Sequence, residues 1–328
     1  MRERSLVRAE HDLPVLVTVA ASTPSARGRP RRRRALASPH RLTELVGRRV
    51  PCDARSMSAG ETPYTEIAPP ADLAPYVDRL WLRTTMRSGG THRVLPDGCV
   101  DILIHADRAA AELVGSKICA LEIPEEPAEL VAVRFRPGTA TAITGCALAE
   151  LTDRSVDLAD LGIAGELADR VVDAGARPDP GLLRLSAKLP LSASAHARLS
   201  ALIAWLRQRL TDAEPPDPLV VRAVSLLSAG DARVDDVTDA VGVSRQYLAR
   251  AFRREVGITP KQLARIARMQ RAAAVLRRGA DLARLAAELG YFDQSHLSHE
   301  LRELAGITPA AVAAERPIAL SHLFGTAL

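Results

Sequence analysis

The sequence predicts an α+β protein, in which a mixed, β-rich N-terminal domain precedes an all-α domain built on two copies of one helical motif. Short apolar runs separated by Gly and Pro turns fill residues 64–161, and helical periodicity follows them. Residues 219–328 contain an internal repeat. The predicted boundaries are a basic tail at 1–56, a sensor or dimerisation domain at 57–190, a helix and linker at 191–218, and the repeat domain at 219–328.

The tail is set apart by its charge. Residues 1–56 hold 13 Arg against 5 acidic residues and show no sustained hydrophobic period, which is typical of a disordered, solvated segment. An extra arm that contacts a polyanion is the alternative interpretation. Because domain-like sequence begins after Met57, a native start of translation at Met57 is a further hypothesis.

Charge and cysteine usage restrict the class of protein. Residues 57–218 carry a net charge of −7 and residues 219–328 one of +4. Because Arg and Lys that neutralise phosphates release counterions, a basic end on an acidic middle indicates that the end binds a polyanion. Four cysteines without a CxxC pair indicate a reducing cytoplasm rather than a disulfide framework. No apolar run reaches the roughly 18 to 20 residues of a membrane span, so no membrane partner is expected.

The N-terminal elements follow from turn chemistry. Residues 94–95 and 99–104 read as strands on either side of a tight turn at Pro96, Asp97 and Gly98. A further strand at 130–135 runs into a turn at 136–138 and a short helical stretch.

Helices dominate the rest of the chain, beginning with a candidate at 165–174. An apolar stripe at helical spacing is either core or a homodimer seam, and it comprises Leu199, Leu202, Ile203, Leu206 and Leu210. The proline-rich residues 211–218 predict a linker.

The repeat has an offset of about 49 residues. The first copy runs through Gly242 to a Gly-Ile-Thr-Pro ending at 257–260, and the second runs through Gly290 to the same ending at 306–309. Each copy reads as short helix, glycine turn and second helix, which is the helix-turn-helix arrangement. Gly242 and Gly290 suit a left-handed helix end, and Ser244 and Asp293 suit the caps of the helices that follow.

The second helix of each copy is predicted to enter the major groove of DNA. In the first copy Leu248, Phe252 and Val256 share a buried face, and the opposite face presents Arg245, Gln246, Ala249, Arg250, Arg253 and Arg254. Gln bridges adenine and Arg bridges guanine, so this set suits base reading with phosphate contacts. The exposed set of the second copy is less basic and comprises Gln294, Ser295, Ser298, His299 and Arg302.

Thr259 and Pro260 predict the start of a connecting helix that continues to Gly279. About 19 residues at about 1.5 Å each span roughly 28 Å. That length is close to the roughly 34 Å of one DNA turn, so both units can enter successive grooves on one side of a duplex.

Two segments carry a resemblance to the DNA-binding domain of AraC-type transcription regulators: AVGVSRQYLARAFRREVGITPKQLARIARMQRA and LAAELGYFDQSHLSHELRELAGITP. The resemblance implies a bacterial, sequence-specific regulator whose residues 219–328 bind double-stranded DNA. It places Gln246, Ala249 and Arg250 at base-reading positions of the first unit, and Gln294, Ser295, Ser298 and His299 at those of the second. His299 stands where the family commonly has Arg, which predicts weaker contact by the second unit.

The preceding segments HRVLPDGCVDILI and VAVRFRPGTATAITG are similar to an N-terminal domain of some actinobacterial members of that family. This resemblance implies a sensor domain, and the most specific fold that it suggests is a reduced cupin-like fold. The partners expected of such a regulator are DNA, RNA polymerase, a small-molecule effector and a second copy of the chain.

Other site chemistries are weaker alternatives. A DNA alkyl-transfer repair protein fused to a DNA reader would use a thiolate at Cys99 or Cys146, but the neighbouring Asp97 and Asp101 disfavour a thiolate at Cys99. No enzyme activity or cofactor is therefore expected. Two histidine pairs, His92 with His105 and His296 with His299, lack a complete ligand set, so no metal is expected. Arg134 and Arg136 either clamp an anionic effector or are simply exposed on a strand.

Overall fold

The computed structural model describes residues 64–85, 91–124, 126–163, 166–177, 191–230 and 232–314, without the side chain of His92. The predictions for the tail at 1–56 and for Met57 lie outside these residues. The predicted α+β class is confirmed, because a β-rich N-terminal part is followed by a helical C-terminal part. No helix in the described ranges combines the length and the apolar character needed to cross a bilayer.

The β-rich part contains antiparallel strands in two sheets. A six-stranded sheet has the order β1-β2-β7-β4-β5-β8, and β3 pairs with β6 in a separate ribbon. The strands are β1 (Tyr64–Ile67), β2 (Val77–Thr85), β3 (Thr91–Val94), β4 (Val100–His105), β5 (Ala110–Val114), β6 (Leu121–Pro124), β7 (Ala128–Phe135) and β8 (Ser155–Asp157).

One face of the large sheet builds the main core. Along β4, Val100, Ile102 and Ile104 are buried and alternate with half-buried residues, as a strand with one core face requires. The face is covered by helices α1 (Thr141–Thr144), α2 (Leu167–Ala176) and α3 (Ala193–Leu210), together with a 3-10 helix at Leu148–Leu151.

The apolar stripe of α3 belongs to this core. Leu199, Leu202 and Leu206 are at most 5% exposed, and Ile203 and Leu210 pack against the same cluster. The structure therefore supports the core interpretation of the stripe, and the alternative of a homodimer seam is wrong for it.

The Pro-Asp-Gly segment at 96–98 differs from the prediction. Gly98 has the expected positive φ of 73°, but β3 and β4 do not pair with each other. The segment crosses between the two sheets and contacts the helical part. The Pro96 carbonyl oxygen accepts a hydrogen bond of 2.7 Å from Gln270, and Gly98 lies against Leu263. What reads as a hairpin turn in the sequence is a contact with the helical part.

The helical part begins after the predicted linker, with Asp217 capping the first helix. Its helices are α4 (Pro218–Ser228), α5 (Val234–Val241), α6 (Arg245–Glu255), α7 (Pro260–Leu276), α8 (Leu282–Glu288), α9 (Gln294–Ala305) and α10 (Pro309–Ala314). Helix α7 is common to both units. Its first half, with Leu263 and Ile266, packs with α4, α5 and α6, and its second half, with Met269 and Leu276, packs with α8, α9 and α10.

Candidate nucleic-acid interface

The first helix-turn-helix unit consists of α5, a turn and α6. Gly242 ends α5 with a φ of 73°, in the left-handed region that costs glycine nothing. The Ser244 side chain then accepts a hydrogen bond of 3.2 Å from the Tyr247 amide and caps α6. Both predictions for this turn are confirmed, and together they fix where α6 begins.

Helix α6 separates a buried face from a polar face. Leu248, Phe252 and Val256 are fully buried, as predicted. The residues predicted to contact DNA lie opposite: Arg245, Gln246, Arg250, Arg253 and Arg254 are exposed, and Ala249 is half-buried. The structure thus brings the predicted set of the first unit together on one solvent-facing surface.

The cations of this surface differ in how far the protein neutralises them. Arg245 pairs with Asp235 of α5. Arg254 donates to Glu255 at 2.6 Å, and this hydrogen bond raises the pKa of the Arg254 guanidinium. Within the ranges that the structure describes, Arg250 and Arg253 form no ion pair. These two are therefore the side chains most available to an external anion.

The second unit consists of α8, a turn and α9. Gly290 has a φ of 68°, and the Asp293 carboxylate accepts a hydrogen bond of 2.7 Å from the His296 amide, which caps α9 as predicted. Gln294, Ser295, His299 and Arg302 are exposed, and Ser298 is half-buried. The Ser298 hydroxyl donates to the Gln294 carbonyl oxygen at 2.7 Å, so its proton is engaged within the helix.

A buried carboxylate fixes α9 against α7. Glu300, which is 3% exposed, accepts hydrogen bonds from Arg265 at 3.0 Å, from Arg268 at 2.9 Å and from the Tyr291 hydroxyl at 3.0 Å. Burial alone raises the pKa of Glu300, but the hydrogen bonds from the two arginines outweigh it and the net pKa is lowered. The sequence analysis did not identify this cluster, because its arginines lie 35 and 32 residues before Glu300 along the chain.

Two exposed aromatic residues were also missed. Tyr247 is 46% exposed in the first turn of α6, and Phe292 is 92% exposed directly before the cap of α9. Their positions in the sequence could have identified them, since both residues lie beside predicted helix caps and outside the predicted apolar stripes.

The predicted effector arginines differ in their surroundings. Arg134 is 6% exposed, and its guanidinium contacts Asp101 at 3.1 Å and Asp97 at 3.4 Å. Arg136 is 48% exposed at its side chain and donates to the Ala74 carbonyl oxygen at 2.8 Å. The two therefore do not share an exposed strand face: Arg134 is buried, and Arg136 is partly exposed with Asp78 at 3.7 Å.

The alternative site residues lack the environment that their chemistry requires. Cys99 is 4% exposed, and burial together with the charge of Asp97 raises the pKa of its thiol. Burial also raises the pKa of Cys146. A thiolate nucleophile needs the opposite shift. His105 contacts Glu112 at 2.9 Å, and within the described ranges no three His, Cys, Asp or Glu side chains form a metal-binding group.

Two segments of the chain match protein families. Residues 237–315 match a family described as a helix-turn-helix domain. Residues 65–157 match a family described as a domain of unknown function (DUF6597). The first match covers both helix-turn-helix units, from α5 to α10, and the second covers the β-rich part from β1 to β8.

Known proteins resemble parts of this chain. A putative AraC-like transcription regulator of Streptomyces lividans is 37% identical over 97 residues, which are 28% of this chain and 32% of the relative, so the chain spans about a third of that relative. The C-terminal domain of AraT, a response regulator from Geobacillus stearothermophilus, is 26% identical with a TM-score of 0.29, over 32% of this chain and 91% of that one. ToxT from Vibrio cholerae is 12% identical with a TM-score of 0.34, over 77% of this chain and 97% of that one. Residues 237–315, with two capped units on one connecting helix, thus match a helix-turn-helix domain, and the chain is similar to an AraC-like regulator over 97 residues.

Proposed function

We propose that this chain is a sequence-specific, DNA-binding transcription regulator. The observation that carries the proposal is the pair of capped helices α6 and α9, which present polar faces to solvent from one shared helix, α7. In a helix-turn-helix unit the second helix lies in the major groove, and its N-terminal residues contact base edges. The chain contains two such units, so two adjacent contacts with one duplex are expected.

The side chains of α6 fit direct readout of bases. Gln246 can bridge N6 and N7 of adenine, and Arg250 can bridge O6 and N7 of guanine. Arg253, on the next turn of the helix and without an ion pair among the described residues, suits a phosphate. The carboxylates of Asp235 and Glu255 compete for Arg245 and Arg254, so these two arginines are expected to contribute less.

The connecting helix sets the spacing of the two contacts. Helix α7 has 17 residues, slightly fewer than the expected length, and spans about 26 Å at about 1.5 Å per residue. The DNA-facing side chains of the two units extend the reach beyond the length of α7. The total span therefore suits successive major grooves, which lie about 34 Å apart on one side of the duplex. Because α9 offers one exposed arginine, Arg302, the first unit is expected to supply most of the affinity.

The β-rich part is proposed to control DNA binding through contacts with both units. Ser116 and Thr152 donate to the carbonyl oxygens of Val256 and Gly257 at 2.8 and 2.6 Å, just beyond α6. The Ala120 amide donates to the Leu304 carbonyl oxygen at 2.7 Å, in the last turn of α9. A carbonyl group in the last turn of a helix, or just beyond it, generally lacks a donor within the helix. An effector bound to the β-rich part could therefore act by strengthening or breaking these bonds; homodimer formation and contact with RNA polymerase stay predictions.

Selection of binding sites from random duplexes, followed by footprinting of the selected site, tests the proposal. We expect one preferred sequence with two protected major-groove segments about one helical turn apart. Arg250→Ala should lose the preference, whereas Arg207→Ala should retain it, because Arg207 is an exposed cation on α3, outside both helix-turn-helix units, and is paired with Asp72. Enrichment of no sequence, or equal binding of both variants and the parent to selected and random duplexes, would refute the proposal.

A further inference from the structure

Phe292 stands out on the proposed DNA-binding surface. Among the described residues only Val221, Tyr247 and Phe292 are large hydrophobic residues with exposed side chains, and Phe292 is 92% exposed. A single exposed apolar residue often has no role. Phe292 differs because of its position, immediately before the cap of the second recognition helix.

The position of Phe292 is fixed by the turn around it. The Phe292 amide donates to Nδ1 of His296 at 3.3 Å, and the His296 ring packs edge-on against Tyr291, with ring centroids 5.3 Å apart. Tyr291 in turn donates to the buried Glu300. Phe292 is thus held at the leading end of α9, the end that approaches base edges in a helix-turn-helix unit.

The neighbouring side chains suggest what Phe292 would contact. The exposed residues of α9 include one residue able to make a bidentate contact with adenine, Gln294, and it lies two positions after Phe292. Adenine pairs with thymine, and thymine presents its C5 methyl group in the major groove. An apolar side chain such as Phe discriminates thymine by contact with that methyl group.

We propose that Phe292 packs against the C5 methyl of a thymine and makes the second unit specific for an A·T pair. The inference rests on the proposed function and assigns a role to a residue that lies outside the predicted DNA-binding set. The apolar contact compensates for the weak charge of α9, whose polar residues cannot supply the affinity that the arginines of α6 supply. Burial of the phenyl ring occurs only in the complex, so Phe292 adds to specificity and not to folding.

The test replaces single thymines by deoxyuridine, which lacks only the methyl group, in the duplex selected by the full chain. We expect one position in the half-site of the second unit where the substitution weakens binding by the parent protein about three- to fivefold, the worth of one buried methyl group. At that position Phe292→Ala should bind the thymine and deoxyuridine duplexes equally. Val221→Ala, which removes another exposed apolar side chain on α4, should keep the discrimination of the parent.

The outcomes separate this inference from the proposed function. If the parent binds the selected site specifically but no deoxyuridine in the second half-site weakens binding, the role of Phe292 is refuted and the DNA-binding proposal stands. The same holds if Phe292→Ala discriminates as well as the parent. If the parent binds no duplex specifically, both proposals fall. Phe292→Ala removes an exposed ring, so unchanged thermal unfolding is expected and confirms that the variant is folded.

Discussion

Glu300 of α9 accepts hydrogen bonds of 2.9 and 3.2 Å from Arg268 of α7, and its side chain is 4% exposed. Arg268 also lies over the Tyr291 ring, 4.4 Å from its centroid. The second recognition helix is therefore tied to the connecting helix by a buried, charge-assisted network as well as by apolar packing. Such a network fixes the orientation of α9, because removing one member leaves the others unpaired.

Replacing Glu300 by Gln should destabilise the chain by about 3 kcal/mol, because Arg265 and Arg268 lose a charged partner in a partly buried site. Glu303→Gln is the matched control. Glu303 pairs with Arg265 but is 50% exposed at its side chain, and exposed pairs contribute about 1 kcal/mol or less. Urea unfolding followed by circular dichroism measures both variants. Equal losses would show that the buried network does not carry the stability assigned to it.

Asp101 should make stability depend on pH in a direction opposite to that of most acids. Burial raises the pKa of Asp101 from its ordinary value of 3.8 to about 6, although the charge of Arg134 opposes this shift. The folded state therefore holds the proton more tightly than the unfolded state, and this contribution to stability is lost as pH rises from about 4 to about 6. Asp101→Asn cannot titrate.

Unfolding free energies measured between pH 4 and pH 7 test this assignment. As pH rises through that window, the unfolding free energy of the parent should fall relative to that of Asp101→Asn. Replacing the protonated carboxyl by an amide adds an offset that does not depend on pH in this range. Two parallel curves would contradict the raised pKa.

Two glycines of the first unit should respond differently to alanine. Gly242 and Gly257 have positive φ values of 73° and 90°, so each substitution costs about 1 to 2 kcal/mol in backbone strain. A Cβ at Gly242 would meet open space, but one at Gly257 would lie 3.0 Å from the Leu148 carbonyl oxygen of the β-rich part. Gly257→Ala should therefore destabilise the chain by at least about 1 kcal/mol more. Thermal unfolding of both variants measures the difference, and equal effects would argue against close packing of α6 on the β-rich part.

The arginines of α6 should separate specificity from general affinity. Arg250→Ala should weaken binding to the selected site by about 1 to 3 kcal/mol and relax the preference for one base pair. Arg253→Ala should weaken binding to all sequences and reduce the salt dependence by about one phosphate contact. Arg254→Ala should have a smaller effect on salt dependence, since Glu255 already neutralises that cation.

Gel-shift titrations at several salt concentrations measure these three variants on selected and random duplexes. An unchanged site preference in Arg250→Ala would remove Arg250 from the base-reading set. A larger reduction in the salt dependence of binding in Arg254→Ala than in Arg253→Ala would mean that DNA displaces Glu255 from Arg254.

Local sequence determined the elements of the helical part. Gly242, Ser244, Thr259 and Asp293 each lie at the predicted helix end, because glycine conformation and side-chain caps depend on the few residues next to them. The same holds for the buried face of α6, since 3.6-residue periodicity separates core from solvent without any knowledge of the partner. The repeat then shows that the chain has two such units.

Only the tertiary structure decided which contacts these elements make. The strands beside Gly98 pair with other strands, the stripe of α3 packs on its own sheet, and Arg134 is buried against Asp97 and Asp101. Glu300 meets arginines that lie 32 and 35 residues earlier in the chain. A local pattern specifies a conformation and an apolar face, but pairing, burial of charge and contacts between domains depend on which distant segments fold against that face.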